Sequence, residues 1–430
     1  MRDKRRYIIY AGLFAMMAVC YIDRVNLSVA AHPIAKTFGL TPVQLGFVFS
    51  SFLWTYIVCL IPMGWLADRY GAGRVTWIAL ALWSVAGILT GAATTYSGLL
   101  ASRWVLGIGE SAGYPAGGRL VHEWAPKGER GIGMACLNSG AYAGPAIGSV
   151  VVAWLASQFG WRASFYVTGG FGLLLATGWA LLYRRPSDAS WLSETEHRQI
   201  LMEKELPPHN SRAGQVSPGS RIRLLLSSPT MWALAITQGC AGYTLYLFMS
   251  WLPTYLATAR GLDVFKSGMY SAIPYAAASA CGIVLGLVSD ALVRRRPGAP
   301  AERRKLICVV LLLSSVILFA PLANATWIIL LLISTSLACV STAMAMNIAL
   351  THDLLRDGTN AGLAVSLLIL GGNTFGIAAP IVTGYLVSAT SGFTGALIIA
   401  GTLLLIGAGI SFAFTRTPIG KAAIPLHADA

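Results

Sequence analysis

Apolar residues run along this chain in stretches of about twenty, the length a helix needs to cross roughly 30 Å of hydrocarbon. Short clusters of charge, glycine and proline separate them. The runs predict spans at Tyr7–Ala30, Val43–Ala67, Val75–Thr94, Ser97–Gly117, Gly131–Leu155 and Ser164–Tyr183. After a polar break come Met231–Thr258, Lys266–Val288, Leu306–Leu322, Thr326–Leu350, Ala361–Val387 and Gly392–Phe414. Buried helices of a soluble protein would show polar faces at a period of 3.6 residues, and those faces are missing. The break, Arg184 to Pro229, is rich in Pro, Ser, Glu and Arg. Within it Ser193–Leu206 reads as a short amphipathic helix, opened by Ser-Glu-Thr-Glu in the manner of a capping box. The expected organisation is a bundle over residues 1–183, a linker over 184–229, a second bundle over 230–415 and a tail over 416–430.

Composition agrees with the pattern. The 430 residues are 56% hydrophobic and 11% charged, with a mean hydropathy of +0.65. Soluble domains carry about 25% charged residues, so a large soluble protein is excluded. The net charge of +14 serves as a topology signal. Most of the 31 basic residues fall in loops on the side where the chain starts, among them Arg5, Arg69, Arg74, Arg119, Arg184 and Arg303. Lys36, Arg162, Arg260 and Lys266 fall on the other side. The positive-inside rule then places both termini in the cytoplasm. Because the basic residues are scattered over many loops and form no single stripe, nucleic-acid binding is not expected.

The seven cysteines sit singly inside spans with no CxxC pair, and the six histidines are dispersed at span ends or in loops. Neither disulfides, a metal site nor a bound cofactor is expected. No Walker motif or nucleophile elbow occurs, which argues against an enzyme. The basic start and apolar run at the N-terminus continue through Asp23-Arg24 without a small-residue cleavage site, so this run reads as the first span. The expected surroundings are lipid, with the protein a monomer.

Four charges lie well inside spans: Asp23, Arg24, Arg103 and Glu110. An ionisable group in hydrocarbon is costly and marks an ion or substrate path. Asp23 and Arg103 fall at a similar depth toward the far side. Glu110 follows Arg103 by two turns on the same face, about 10 Å deeper. The reading is an Asp23–Arg103 pair with Glu110 below it, leading protons toward an anion site. The alternative is a buried ion pair that only locks the first and fourth helices together. The fifth span carries Gly140, Gly144 and Gly148 at intervals of four, a ridge for close helix packing, with Pro145 giving a local kink.

The loop Gly64-Trp65-Leu66-Ala67-Asp68-Arg69-Tyr70-Gly71-Ala72-Gly73-Arg74 resembles the signature between the second and third helices of the major facilitator superfamily. A degenerate copy, Gly286-Leu287-Val288-Ser289-Asp290 followed by Arg294-Arg295-Arg296, occupies the matching place after the eighth span. The resemblance implies an all-α integral membrane fold of twelve transmembrane helices in two pseudo-symmetric six-helix bundles. It also implies a gating motif at Gly64, Asp68, Arg69, Gly71 and Arg74, which breaks when the carrier opens inward.

Three further segments resemble the anion:cation symporter family of that superfamily. They are Tyr21-Ile22-Asp23-Arg24-Val25-Asn26, Arg103-x3-Gly107-x-Gly109-Glu110-x4-Pro115 with Trp124-Ala125-Pro126-Lys127-Gly128-Glu129-Arg130, and Ser250-Trp251-Leu252-Pro253-Thr254-Tyr255-Leu256. That resemblance implies a bacterial inner-membrane carrier importing an organic anion with protons. Asp23 and Glu110 match the proton-coupling acids, and Arg24 and Arg103 the arginines at the substrate. Tyr21 and Tyr56 match hydroxyls of the site. Gln238, Tyr243, Tyr246, Asn347 and Asn373 are the candidates from the second half. Departures bear on the substrate. Galactonate-type carriers have an amide in the fifth helix where this chain reads Ser139-Gly140-Ala141. Their eleventh-helix Asn falls at Ile369, one turn from Asn373. A sugar acid is the first expectation and an aromatic or short hydroxy-carboxylate the alternative. Arginines in the site favour anions over the cations of drug-efflux antiporters.

Overall fold

A computed structural model describes residues 5–205, 218–294, 300–355 and 361–419. The rest of the linker (206–217), Arg2, Lys4, Arg295–Arg296, Arg356 and the tail beyond residue 419 lie outside the described residues, as do the side chains of the Gly286–Asp290 motif copy. The chain forms α1 (Tyr7–Val29), α2 (Ala31–Phe38), α3 (Pro42–Tyr70), α4 (Ala72–Ala92), α5 (Tyr96–Glu110), α6 (Gly113–Trp124), α7 (Arg130–Phe159) and α8 (Trp161–Leu182). The linker contributes α9 (Glu194–Glu205) and α10 (Pro218–Leu226). The second half holds α11 (Pro229–Arg260), α12 (Val264–Arg294), α13 (Pro300–Ser314), α14 (Thr326–Leu354), α15 (Ala361–Thr390) and α16 (Thr394–Phe414).

Nine helical stretches among the described residues are long and apolar enough to cross a membrane. The other three expected crossings are α11, α12 and the α5–α6 pair. α11 is 32 residues long and carries Thr237, Gln238, Tyr243, Thr244 and Tyr246 in its middle, which lowers its hydropathy. The fold is all-α with twelve crossings. Its helix starts follow from sequence: Thr41 caps α3 with a reciprocal box to Gln44 ahead of Pro42. Thr95 caps α5 and Ser228 caps α11.

The fourth expected span corrects the sequence reading, because it is two helices. α5 stops at Glu110, and Ser111 and Ala112 make a tight turn before α6. Pro115 supplies the cause: it lacks an N–H, and its ring crowds the carbonyl of residue 111, four positions back. The ninth expected span is also composite, with α13 continuing as a 3₁₀ helix over Ser315–Leu322.

Within the first half, α1 packs on α7, α4 on α8 and α3 on α5; within the second, α11 packs on α15 and α12 on α14. The Gly140–Gly144–Gly148 ridge fits against α1. A Cβ at Gly144 would lie 2.6 Å from the Ala18 carbonyl, and one at Gly148 2.9 Å from Ile22. The halves meet through α3 with α15, α7 with α12, and α1 with α11. Those contacts gather at the face opposite the α1 start. A Cβ on Gly46 would lie 2.5 Å from the Pro380 carbonyl, and one on Gly384 2.5 Å from that of Pro42. Ser28 donates to the Ser250 carbonyl at 2.8 Å, and Phe49 meets Trp251 edge-on at 5.2 Å. The far face is therefore shut.

At the basic face α9 belongs to the first half. The Arg6 guanidinium, on a residue 5% exposed, donates twice to Glu129 (2.9 and 2.7 Å) and once to Glu196 (2.9 Å), and the Arg6 backbone N–H also reaches Glu196 (3.4 Å). Trp191 stacks on Trp124 at 5.3 Å. Ser193 does accept the Glu196 N–H, so half of the expected capping box forms. The Glu196 carboxylate is drawn instead to Arg6.

Candidate functional site: a buried ion-pair cluster between the halves

α1 carries two chemistries on two faces. Tyr21 and Arg24, three residues apart, face α3, α5 and α6, within reach of Tyr246 of the second half. Asp23 and Asn26 point back into the first half, toward α4 and α8. Asn26 accepts from Ser164 at 2.7 Å and donates to Thr168 at 3.0 Å, which fixes the rotation of α1. Asp23 stands beside Gly87 of α4 and Thr168.

The structure pairs the four charges differently from the sequence reading. Arg24 Nε donates to Glu110 Oε2 at 2.8 Å, with both side chains buried. The expected Asp23–Arg103 hydrogen bond does not form. Both Asp23 oxygens and the Arg103 Nε and Nη1 are buried with no hydrogen-bond partner. Arg103 instead lies over Phe52, 5.4 Å from the ring centre. Consecutive helical residues differ by about 100°, so Arg24 turns to hydrogen-bond Glu110 while Asp23 is held on the α4–α8 side, within the field of Arg103 and Glu110 but bonded to neither. Asp23 and Glu110 are both fully buried, at 2% and 1% exposed.

Glycine sets the depth of Glu110. Gly109 abuts the Ala79 carbonyl and Trp83 of α4, and Gly107 abuts Phe52 and Thr55 of α3. α5 thus nests between two helices with no side chain in the way. The α5–α6 break directly follows the acid, leaving its position independent of the continuing helix.

Around Arg24 stand Tyr21 at 4.5 Å, Phe52 at 5.1 Å and Tyr56 at 5.3 Å from ring centre to guanidinium carbon. Aromatic faces stabilise a buried guanidinium while leaving its N–H groups for an anion. Tyr246 closes the ring from the second half, 6.5 Å from Phe52, and donates to Asn373 Oδ1 at 2.9 Å. The structure therefore gathers Tyr21, Asp23, Arg24, Tyr56, Arg103, Glu110, Tyr246 and Asn373. Gln238 and Asn347 are not in this cluster. They bond to each other at 3.0 Å, with Asn347 also donating to the Leu234 carbonyl. Eight residues, roughly 12 Å, separate Gln238 from Tyr246 along α11. The Tyr243 hydroxyl faces Thr383 of α15 and stands outside the cluster.

Sequence reasoning missed four residues. Phe52 is the ring shared by both arginines, and Cys20 places its sulfur 3.7 Å from Arg24 Nη2. Tyr114 lies beside Tyr21, and Tyr142 of α7 faces Ser341 of α14. Tyr114 follows Glu110 by four residues, a spacing that could have flagged it.

The gating residues sit at the basic face. Asp68 accepts from Arg119 at 2.6 Å, Arg119 also reaches Glu123 at 3.3 Å, and Tyr183 donates to Glu123. Arg69 lies over Trp65 and Tyr70. Gly71 turns the chain with φ of 92°, a conformation L side chains resist. The partner of Asp68 comes from its own half.

The pattern of the Major Facilitator Superfamily matches residues 13–351. The chain is 32% identical over 416 residues to a probable galactarate/D-glucarate transporter of Escherichia coli (strain K12), covering 94% of this chain and 92% of that one. It is 33% identical over 415 residues to a probable sulfoacetate transporter of Cupriavidus necator, covering 95% and 93%. In fold it is similar to a bacterial homologue of the human lysosomal transporter Spinster, with a TM-score of 0.80 at 18% identity over 96% of this chain and 98% of that one. The chain belongs to the Major Facilitator Superfamily, and it is a multi-pass membrane transporter rather than an enzyme.

Proposed function

We propose that this protein imports a small organic anion with protons across a bacterial inner membrane, by alternating access, with both termini in the cytoplasm. The observation that carries this is the Arg24–Glu110 pair. A carboxylate substrate and the Glu110 carboxylate compete for the same guanidinium. Protonation of Glu110 removes its claim, and Arg24 then offers its planar fork to the substrate. Reciprocal linkage follows: the bound anion holds the proton on Glu110, and release of either favours release of the other. Asp23 and Arg103, buried without hydrogen-bond partners, are a second acid–base couple on the same path.

The shut far face and the gathering of inter-half contacts there support a state closed to one side, as alternating access requires. The relatives named for galactarate, glucarate, galactonate and sulfoacetate support an organic anion as cargo. A sugar acid is the first candidate, with the hydroxyls of Tyr21, Tyr56 and Tyr246 as partners for its own. Two of the expected amides, Gln238 and Asn347, bond to each other away from the cluster, which keeps an aromatic or short hydroxy-carboxylate as the second. Proteoliposomes with an inwardly directed proton gradient, offered labelled galactarate, galactonate, sulfoacetate and phthalate in turn from outside, test the reading. Gradient-driven accumulation of one of these supports it, and absence of uptake for all four contradicts it.

A further inference from the structure

A second cavity, of about 860 Å³, opens at the basic face between the ends of α3, α4, α6 and α8. It is separate from the Arg24 cluster. Its wall carries five arginines, Arg69, Arg74, Arg119, Arg184 and Arg185, against Asp68, Glu123 and Asp188. Arg119 alone answers two of those acids, Asp68 and Glu123. Arg69 lies on aromatic rings, and the hydrogen bond from Arg184 goes to the Tyr183 carbonyl. The cavity therefore holds more guanidinium charge than its carboxylates neutralise.

A neutral feature points the same way. α4 starts at this wall with Gly71, Ala72 and Gly73, and no side chain caps it. Its first-turn N–H groups have no partner within the helix and attract negative charge. Arg185 Nη2 stands 3.5 Å from where a Cβ on Gly71 would sit, so cation and helix start converge.

The rim fixes the level in the membrane. Trp65, Trp77, Leu181 and Leu182 are exposed at the ends of crossing helices. Apolar side chains in that position meet hydrocarbon, so the arginines stand where lipid phosphates lie.

We propose that this cavity binds a phosphate-bearing anion at the membrane surface, the headgroup of an anionic phospholipid, through Arg74, Arg184, Arg185 and the α4 N-terminus. Guanidinium forks match paired phosphate oxygens, and the helix start supplies further donors. Free phosphate offers the same chemistry without acyl chains. The Asp68–Arg119–Glu123 bonds lie in the same wall, so an occupied cavity ties the gating loop to the end of α8.

Native mass spectrometry of the delipidated full chain tests this, titrating phosphatidylglycerol, phosphatidylcholine or inorganic phosphate. Phosphatidylglycerol should be retained in preference to phosphatidylcholine. Arg74→Ala with Arg185→Ala should weaken it by roughly 25-fold, at about fivefold per arginine. Arg74→Lys with Arg185→Lys keeps the charge and should lose less, which guards against misfolding of the alanine variant. Arg198→Ala, on the exposed linker helix, should change nothing. Displacement of the lipid by millimolar inorganic phosphate, with the same dependence on Arg74 and Arg185, would identify a free anion as occupant of the proposed phosphate site. Equal retention of both lipids, or undiminished phosphatidylglycerol binding in the alanine variant alongside no phosphate binding, overturns the proposal.

Discussion

Arg24 is held by one carboxylate and three aromatic faces, and its removal has two separable effects. Breaking a buried pair leaves an uncompensated charge, at a cost of about 3–5 kcal/mol. Arg24→Ala should therefore lower heat stability and abolish uptake, while Arg24→Ala combined with Glu110→Gln should regain stability without regaining transport. Recovery of uptake in the double variant would refute an arginine-based anion site. Arg24→Lys should also be impaired, because a point charge cannot present two parallel donors. At this scale the sequence located all four intramembrane charges, because a charge inside an apolar run is a local signal. It could not assign their partners. Pairing depends on the rotation of α1, which is set by Asn26 bonding to Ser164 and Thr168, both distant in sequence. Phe52, Tyr114 and Tyr142 escaped for a related reason: an aromatic residue in an apolar run looks the same whether it faces lipid, core or cavity.

Individual helices are shaped by glycine and proline more than by their apolar residues. Gly144 faces backbone rather than a flexible side chain, so α1 and α7 cannot spread locally to admit a larger residue. Gly144→Val should destabilise the protein by about 3 kcal/mol, the upper end for overpacking, measured as lowered melting temperature in detergent. An unchanged melting temperature would show that the two helices separate freely. Pro115→Ala should let α5 and α6 join, shift Glu110 and reduce uptake with little loss of folded protein; full uptake would show that the break is incidental. Span positions were legible because hydrocarbon thickness imposes run length. The α5–α6 break was not read, although Pro115 was in view, because an apolar run through Ser111 and Ala112 carries no charge to interrupt it. The docking of α9 through Arg6 was equally hidden, since Arg6, Glu129 and Glu196 are far apart in the chain.

The whole molecule is two bundles pressed together at one face, with the charge cluster between them. Replacing Phe49 and Trp251 by cysteine, in a background lacking the native thiols, should allow a short reversible crosslinker to bridge α3 and α11. Transport should stop when the bridge forms and return on reduction; continued transport with the bridge in place would mean that this face need not open. Membrane-impermeant thiol reagents should reach cysteines placed at Lys36 and Arg260 and miss the 184–229 linker in intact cells, and linker labelling would reverse the orientation. The overall architecture was legible from run length, whereas the closed face was not. Closure rests on glycine contacts between Gly46 and Pro380 and between Gly384 and Pro42, which composition does not report. The central claim is that the proton and the anion take turns at Arg24. Its most direct test compares two assays of Glu110→Gln in proteoliposomes, using a substrate the unaltered protein accumulates. Exchange of labelled for unlabelled substrate should persist, because the amide leaves Arg24 available, while accumulation driven by an imposed pH gradient should be lost. Gradient-driven accumulation equal to that of the unaltered protein would contradict the account.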